Sequence, residues 1–123
     1  MKDISVFIVE DEAMTALFME SMLKKKGLKV VGKVNSGEEA LTFVKNLKPD
    51  VVILDIRLSG DMTGIDTAKK IREEVDYPVQ LIFTTGYGDS EYRSMAEQLQ
   101  ALAFLEKPVN INDIFNLITN CTS

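Results

Sequence analysis

Five short apolar runs, each followed by a stretch with helical spacing, constrain the fold of this chain more than any other feature. Runs rich in β-branched residues suit strands that are covered on both faces. Strands that alternate with helices imply a parallel sheet flanked by helices, because parallel strands need crossover connections and these are right-handed. The sequence therefore predicts an α/β fold with a doubly wound, five-stranded parallel sheet. The predicted strands are residues 4–9, 28–34, 51–54, 79–84 and 103–106.

Local signals predict where the five helices begin and end. Ser36 and Glu39 form a capping-box pattern at the start of the second helix. Gly27 suits the end of the first helix, and Asn110 or Asn112 suits the start of the last. Four methionines on predicted helices are expected to serve packing rather than a cofactor site. They are Met14, Met19, Met22 and Met95. The predicted helices are about 13–26, 37–48, 65–74, 90–100 and 111–120.

Size and composition exclude several classes of protein. The 123 residues fit one domain, so residues 1–123 are expected to form a single unit. A formal net charge of −5 argues against binding of nucleic acid or an anionic membrane by this domain alone. No apolar run approaches the roughly 20 residues of a membrane helix, and no signal peptide is visible. The single cysteine suits the reducing cytoplasm. The absence of histidine excludes Ser-His-Asp catalysis and histidine zinc sites.

The residues just beyond the strands are the candidates for chemistry. In doubly wound sheets, ligands bind outside the carboxyl ends of the strands. In this sequence those positions hold clustered acids, hydroxyl groups and one lysine, which are expected to converge on one edge. They are Glu10, Asp11 and Glu12 after the first strand, Asp55 after the third, Thr84 and Thr85 after the fourth, and Lys107 after the fifth.

The clustered acids predict a magnesium site. Glu10, Asp11 and Asp55 would repel one another if all were ionised without a cation. Mg²⁺ prefers carboxylate, carbonyl and water oxygens, so it would relieve this repulsion. The ion together with Lys107 would balance the three carboxylates. This balance also suggests that a phosphoryl dianion binds only when the metal is present.

Each of these residues alone also has an ordinary structural interpretation. The acids at positions 10–12 would favour the dipole of the first helix, and Lys107 alone would suit a solvated surface. Thr85 alone would suit a strand end that satisfies the backbone. Asp55 is harder to explain in this way, because an unpaired acid directly after four apolar strand residues is costly at a buried edge.

The strand-end motifs occur in the order found in the response regulator receiver family, which the chain resembles over essentially its whole length. The matching residues are Glu10-Asp11, Asp55 after Val52-Ile53-Leu54, Thr85 before Gly86, and Lys107 before Pro108, where the family usually has a cis peptide. The resemblance implies a flavodoxin-like fold with strand order 2-1-3-4-5.

The resemblance implies a chemical role for five positions. Asp55 would be the phosphoacceptor, whose carboxylate attacks phosphorus and becomes an acyl phosphate. Asp11, Asp55 and the backbone carbonyl of Arg57 would bind Mg²⁺ directly, and Glu10 would act through a metal-bound water. Lys107 would pair with Asp55 before transfer and with a phosphoryl oxygen during it.

The resemblance also implies a two-state switch. Thr85 would bond a phosphoryl oxygen, and Phe104 would move inward with it, since it stands where the family has a rotating Tyr or Phe. The output partner would recognise the change on the surface formed by the fourth helix, fifth strand and fifth helix. Phe104 has no hydroxyl group, so a switch that needs a tyrosine hydrogen bond is excluded.

The resemblance further implies partners of stated kinds. The phosphodonor would be a phosphohistidine on a sensor histidine kinase or phosphotransfer protein, because no P-loop for ATP is present. The domain would catalyse its own phosphorylation and slow autodephosphorylation without being an enzyme in the turnover sense. Its output partner and cognate kinase are not determined by the sequence, and dimerisation through the fourth and fifth helices follows from the resemblance alone.

Several positions depart from the common family pattern. Ser59 stands where many receivers have proline, and the loop 59–64 is one residue longer than in many members. The longer form resembles a subgroup often joined to sensor kinases. Glu10 in place of aspartate lengthens one acidic arm.

The side chains of Arg57 and Tyr87 lead to a hypothesis about the lifetime of the phosphorylated state. Both would crowd the path of the hydrolytic water, so we expect slow dephosphorylation that becomes faster when either side chain is made small. The alternative is that both side chains face solvent.

Three other interpretations differ in kind. A haloacid-dehalogenase-type phosphatase needs a second acid two residues after the nucleophile, where this chain has Arg57. It also needs a cap domain, for which this chain lacks room. A flavodoxin-type FMN carrier needs a hydroxyl-rich loop where residues 10–12 would repel phosphate. A receiver-like module that binds partners without phosphorylation is the main alternative, because an intact site does not prove its use.

Overall fold

The predicted strands form one parallel sheet. The structure is a computed structural model that describes residues 3–86 and 90–122. The sheet has the order β2-β1-β3-β4-β5, which confirms the predicted topology. The strands are β1 (Ser5–Val9), β2 (Lys29–Val34), β3 (Val51–Asp55), β4 (Gln80–Thr85) and β5 (Ala103–Glu106).

Five helices connect and follow the strands. They are α1 (Ala13–Lys25), α2 (Gly37–Leu47), α3 (Gly64–Glu74), α4 (Arg93–Gln98) and α5 (Ile111–Thr122). The fourth is shorter than predicted, because Ser90–Tyr92 is a 3₁₀ turn and Gln100 adopts a left-handed conformation with φ 59°. Positions 87–89, which include Tyr87, lie outside the described residues. None of the described helices is long and apolar enough to cross a membrane.

The sheet separates two apolar layers. Phe7 and Val9 of β1 pack in the layer with α2, α3 and α4, whereas Val6 and Ile8 pack in the layer with α1 and α5. Side chains of a strand point alternately to opposite faces, so a strand buried on both faces must be apolar at every position. All five residues of β3 are buried, including Asp55 at its end.

Helix caps fix the loops that leave the carboxyl edge of the sheet. Ser36 Oγ accepts a hydrogen bond from the Glu39 N–H at 3.3 Å, and the Ser36 hydroxyl also donates to the Glu39 carboxylate. A reciprocal capping box that was not predicted joins Thr63 and Asp66 at the start of α3. At α5, Asn110 is the residue that caps, since its Oδ1 accepts from the backbone of Asn112 at 2.8 Å.

The methionines of α1 and α4 do not all pack as expected. The buried stripe of α1 consists of Ala16, Met19 and Leu23. Met14 and Phe18 lie off this stripe and are 77% and 56% exposed, because only side chains three to four residues apart share a helix face. Met95 on α4 is 42% exposed. The packing prediction is therefore confirmed for Met19 and for the partly buried Met22, and wrong for Met14 and Met95.

Arg72 of α3 ties the end of α4 to the body of the fold. Its guanidinium donates to the carbonyl oxygens of Leu99 at 3.0 Å and Gln100 at 3.3 Å. The same group donates to the Val79 carbonyl at 2.6 Å, just before β4. One partly buried side chain thus satisfies carbonyl groups at the C-terminal end of α4, which the helix itself leaves unpaired.

Gly64 lets the loop after β3 return to the sheet edge. Its N–H donates to the Ile56 carbonyl at 2.7 Å, and a Cβ at this position would lie 2.1 Å from the carbonyl oxygen of Asp55. Any larger residue would therefore displace the backbone of the candidate phosphoacceptor.

Replacing Gly64 by alanine is expected to lower the free energy of unfolding by about 2 kcal/mol or more, because the added methyl meets backbone that cannot yield cheaply. Gly27→Ala is the comparison. Gly27 has φ 94° with open space around it, so only the left-handed strain of about 1 kcal/mol applies. Urea denaturation of both variants measures the difference, and equal losses would contradict the steric argument.

Candidate functional site

Lys107 brings two buried acids together at the carboxyl edge of the sheet. Its ammonium group donates to Asp55 Oδ2 at 2.8 Å and lies 2.9 Å from Glu10 Oε1. Asp55 ends β3, Glu10 follows β1 and Lys107 follows β5, so three strands contribute. Glu10 and Asp55 are only 2% and 4% exposed. The predicted convergence of these three side chains is therefore present in the structure.

The charges at this site are not balanced. Burial raises the pKa of Asp55 to about 6; the Lys107 hydrogen bond opposes this shift and the neighbouring Glu10 adds to it. Burial alone would lower the pKa of Lys107, but its contacts with Asp55 and then Glu10 outweigh burial and raise it. One ammonium group thus faces two carboxylates in a poorly solvated place, which leaves an excess of negative charge.

The two oxygens of Glu10 have different surroundings. Oε2 accepts a hydrogen bond from the Glu12 N–H at 2.9 Å, which fixes the carboxylate against the turn after β1. Oε1 is buried and accepts no hydrogen bond of good geometry, so its contact with Lys107 is an ion pair. The side chain of Glu12 is 69% exposed and 3.9 Å from Lys107, which makes it a weak partner.

The loop after β3 touches two of the predicted magnesium ligands. The N–H of Arg57 donates to Asp55 Oδ1 at 3.2 Å. Two residues later, the hydroxyl of Ser59 donates to Asp11 Oδ1. Ser59 was identified from the sequence only as a departure from proline, and this contact was not predicted. The available clue was that serine has a hydroxyl donor and proline has none. Arg57 itself is exposed, and the hypothesis about phosphoryl lifetime stays a prediction.

The switch candidates lie on the other side of Asp55. Thr85 is buried at the end of β4, where its hydroxyl donates to the Gly86 carbonyl at 3.4 Å. Phe104 of β5 lies beside Phe83, with ring centroids 6.4 Å apart. The Arg93 guanidinium lies 4.9 Å from the Phe104 ring centroid, a cation–π contact that sequence reasoning missed. Phe104 is therefore held between the sheet and α4.

The donor set fits a magnesium ion in its chemistry. Carboxylate oxygens are hard ligands, the buried Oε1 of Glu10 accepts no hydrogen bond of good geometry, and a cation would offset the excess negative charge. Among residues 3–86 and 90–122, no set of three or more His, Cys, Asp or Glu side chains is arranged to hold a metal ion. The site predicted from Glu10, Asp11, Asp55 and the Arg57 carbonyl therefore stays a prediction.

Comparison with known proteins gives a consistent result. The family model of the response regulator receiver domain matches residues 6–119. The transcriptional regulatory protein PdtaR of Mycobacterium tuberculosis is 32% identical over 113 residues, which are 92% of this chain and 54% of that protein. The positive alginate biosynthesis regulatory protein of Pseudomonas aeruginosa is 35% identical over 112 residues, with 89% and 44% covered. The chain spans about half the length of these relatives.

Solved structures agree with this result. The signal receiver domain of a modulated diguanylate cyclase from Desulfovibrio desulfuricans G20 superposes with a TM-score of 0.87 at 29% identity, covering 97% of this chain and 93% of that one. A CheY-like response regulator receiver domain protein from Methanospirillum hungatei JF-1 gives a TM-score of 0.86 at 25% identity, with 98% and 94% covered.

Replacing Asp55 by asparagine is expected to stabilise the metal-free protein near pH 8. The Asp55 pKa is about 6 in the folded chain against 3.8 ordinarily. The ionisation of Asp55 therefore has no effect on folding below about pH 4, opposes folding increasingly as the pH rises, and opposes it fully above about pH 6. The gain should be about 1 kcal/mol near pH 8, after allowance for solvent screening, and should vanish near pH 4. Urea denaturation in a chelator at several pH values measures it. A variant less stable than wild type near pH 8 would show that the Lys107 contact outweighs burial.

Proposed function

The chain belongs to the response regulator receiver family, and from this membership we propose that Asp55 accepts a phosphoryl group from a phosphohistidine in the presence of Mg²⁺. Phosphorylation-dependent signalling is the function of the family. The observation that supports the assignment to these residues is the shared contact of Lys107 with Asp55 and Glu10. This contact joins the carboxylate that we propose as acceptor to a cation at the edge of the sheet where ligands bind in such folds.

The transfer follows from the chemistry of these side chains. A carboxylate oxygen of Asp55 forms a bond to phosphorus while the bond between phosphorus and the donor imidazole nitrogen breaks. The pKa of about 6 leaves most Asp55 side chains ionised at neutral pH, so no base is required. During the transfer, the Lys107 ammonium group leaves the Asp55 carboxylate and pairs with a phosphoryl oxygen. This new contact stabilises the negative charge that develops on the phosphoryl group.

Magnesium would be held by Asp11, Asp55 and the carbonyl of Arg57, with Glu10 acting through water. When bound, the ion neutralises charge on the phosphoryl group during in-line transfer. Receiver domains generally bind Mg²⁺ at such an acidic pocket. The two carboxylates that share Lys107 need this additional cation before a dianion can approach them.

The proposed signal begins at the Thr85 hydroxyl. In the present structure this hydroxyl donates to Gly86, and a phosphoryl oxygen on Asp55 would be a stronger, charged acceptor. Movement of Thr85 opens space beside Phe104, whose ring is stacked with Arg93 of α4. Inward rotation of Phe104 would break that cation–π contact and change the surface formed by α4, β5 and α5.

The apolar surface beside the site supports a protein as the phosphodonor. A cleft of about 520 Å³ is lined by the exposed side chains of Met14 and Phe18 together with Pro108 and Val109. Lys107 lines the same cleft, so a partner seated here lies next to the acceptor. Exposed apolar patches of this kind mark protein interaction sites. We assign this cleft to the sensor kinase or phosphotransfer protein.

The wider assignments follow from family membership. We propose that residues 1–123 act as one receiver domain in the cytoplasm, and that another domain or protein carries the output. The receiver family is a signalling family, and its enzymatic relatives, such as the protein-glutamate methylesterase of Halalkalibacterium halodurans, are much longer than the matched region. The main alternative is a module that binds partners without phosphorylation.

Intact mass after treatment with a small acyl-phosphate donor tests the central proposal. Wild type should gain one phosphoryl group only when Mg²⁺ is present, and Asp55→Asn should gain none. Lys107→Ala should slow the gain at least tenfold, since it removes a charge that stabilises the transition state. A protein that is unmodified and does not bind Mg²⁺ or beryllofluoride would support the phosphorylation-independent module instead.

Met14→Ala and Phe18→Ala are expected to slow transfer from a phosphohistidine protein about tenfold, equivalent to roughly 1.4 kcal/mol each. Both should leave phosphorylation by the small acyl-phosphate donor unchanged, because only a protein donor fills the cleft. Met95→Ala is the matched control, an exposed methionine on α4 outside the cleft. Rates from rapid-quench gels separate the two donors; equal slowing with both would show a defect in the site rather than in docking.

A further inference from the structure

Asp11 differs from the other acids of the site in its surroundings. Glu10 and Asp55 are buried and meet at Lys107, whereas Asp11 is exposed and accepts a hydrogen bond from the Ser59 hydroxyl. An exposed aspartate samples several rotamers in water, and fixing them on metal binding costs conformational entropy. A hydrogen bond that already holds the carboxylate reduces that cost.

Ser59 is itself held in place by backbone contacts. Its N–H donates to the Asn35 carbonyl at 3.3 Å, and it forms an isolated parallel bridge with Ser36. On the acceptor side, the N–H of Glu10 donates to the Val34 carbonyl at 3.0 Å. The backbone of Glu10, which precedes Asp11, and the backbone of Ser59 are therefore both hydrogen-bonded to the end of β2. The Ser59 hydroxyl and the Asp11 carboxylate are thus held on backbone that is anchored at the same place.

The chain turns sharply just after Ser59. Gly60 has φ 91°, a conformation that glycine adopts without strain, and a Cβ there would lie 3.0 Å from a carboxylate oxygen of Glu38. Before the turn, the N–H of Arg57 binds Asp55. The short segment 57–59 thus contacts Asp55 at one end and Asp11 at the other.

We propose that Ser59 is a positioning residue for the magnesium ion, whose hydroxyl holds Oδ1 of Asp11 and leaves Oδ2 free to bind the metal. This inference rests on the proposed function, because it takes Asp11 as a magnesium ligand. Groups that hydrogen-bond metal ligands commonly change metal affinity by 10–100-fold. A proline at position 59, as many receivers have, would supply neither the hydroxyl nor the N–H that anchors it.

Magnesium titration of the unphosphorylated protein by calorimetry tests this role. Ser59→Ala should weaken Mg²⁺ binding about tenfold, whereas Ser59→Thr, which restores the hydroxyl, should bind like wild type. Ser21→Ala, an exposed serine on α1, is the matched control and should not change the affinity. Thermal unfolding in a chelator checks that each variant is folded. If Ser59→Ala fails to fold, Ser59→Thr and Ser59→Val form a second pair. These two side chains have nearly the same shape, but threonine carries a hydroxyl group where valine carries a methyl group.

The outcomes distinguish this inference from the proposed function. If wild type binds Mg²⁺ and is phosphorylated, but Ser59→Ala binds equally well or more tightly, the positioning role is wrong and the function stands. If Ser59→Ala weakens binding and Ser59→Thr does not restore it, the side chain acts by packing, and the proposal is again overturned. If wild type neither binds Mg²⁺ nor accepts phosphoryl, both fail together.

Discussion

One ammonium group shared by two buried carboxylates is the constraint on which the rest of the site depends. Lys107 can reach Asp55 and Glu10 only because β1, β3 and β5 end at the same edge of a parallel sheet. Burial makes each charge costly alone, so the three side chains must stay together or exchange partners as a group. An arrangement of this kind responds strongly to any added charge.

The strand order divides the neighbours of Asp55 into two sides. β3 lies between β1 and β4, so Asp11 and Ser59 lie toward one side, while Thr85 and Phe104 lie toward the other. The proposed metal side has oxygen ligands and loop contacts, and the proposed switch side has a hydroxyl group, an aromatic ring and a helix. Asp55 lies between the two sides, so under the proposed function it would couple the binding of an ion to the packing of α4.

Much of this architecture was predictable from sequence because burial on both faces leaves a continuous apolar pattern. The run 51–54 followed by Asp55 identified both a central strand and the candidate acceptor, and the strand-end positions of Glu10 and Lys107 predicted their convergence on Asp55. The ion pair between Lys107 and Glu10 was not predicted. The contacts made by loops were not predictable. Ser59 reaches Asp11 through a turn at Gly60, and Arg93 stacks on Phe104 through the placement of a short helix. Helical spacing also failed to predict which methionines of α1 face the sheet, since Met19 lies on the buried stripe and Met14 lies off it.

The attachment of Arg72 to the end of α4 has a geometric consequence. Leu99 and Gln100 are held to α3 and to the start of β4, so the C-terminal end of this helix is a fixed point. The opposite end carries Arg93, which rests on the Phe104 ring. A helix of six residues is about 9 Å long at 1.5 Å per residue, so a tilt of about 10° moves its free end by roughly 1.5 Å. In mechanical terms α4 resembles a lever with its fulcrum at Arg72, and the proposed rotation of the Phe104 ring would act on the end farthest from that fulcrum.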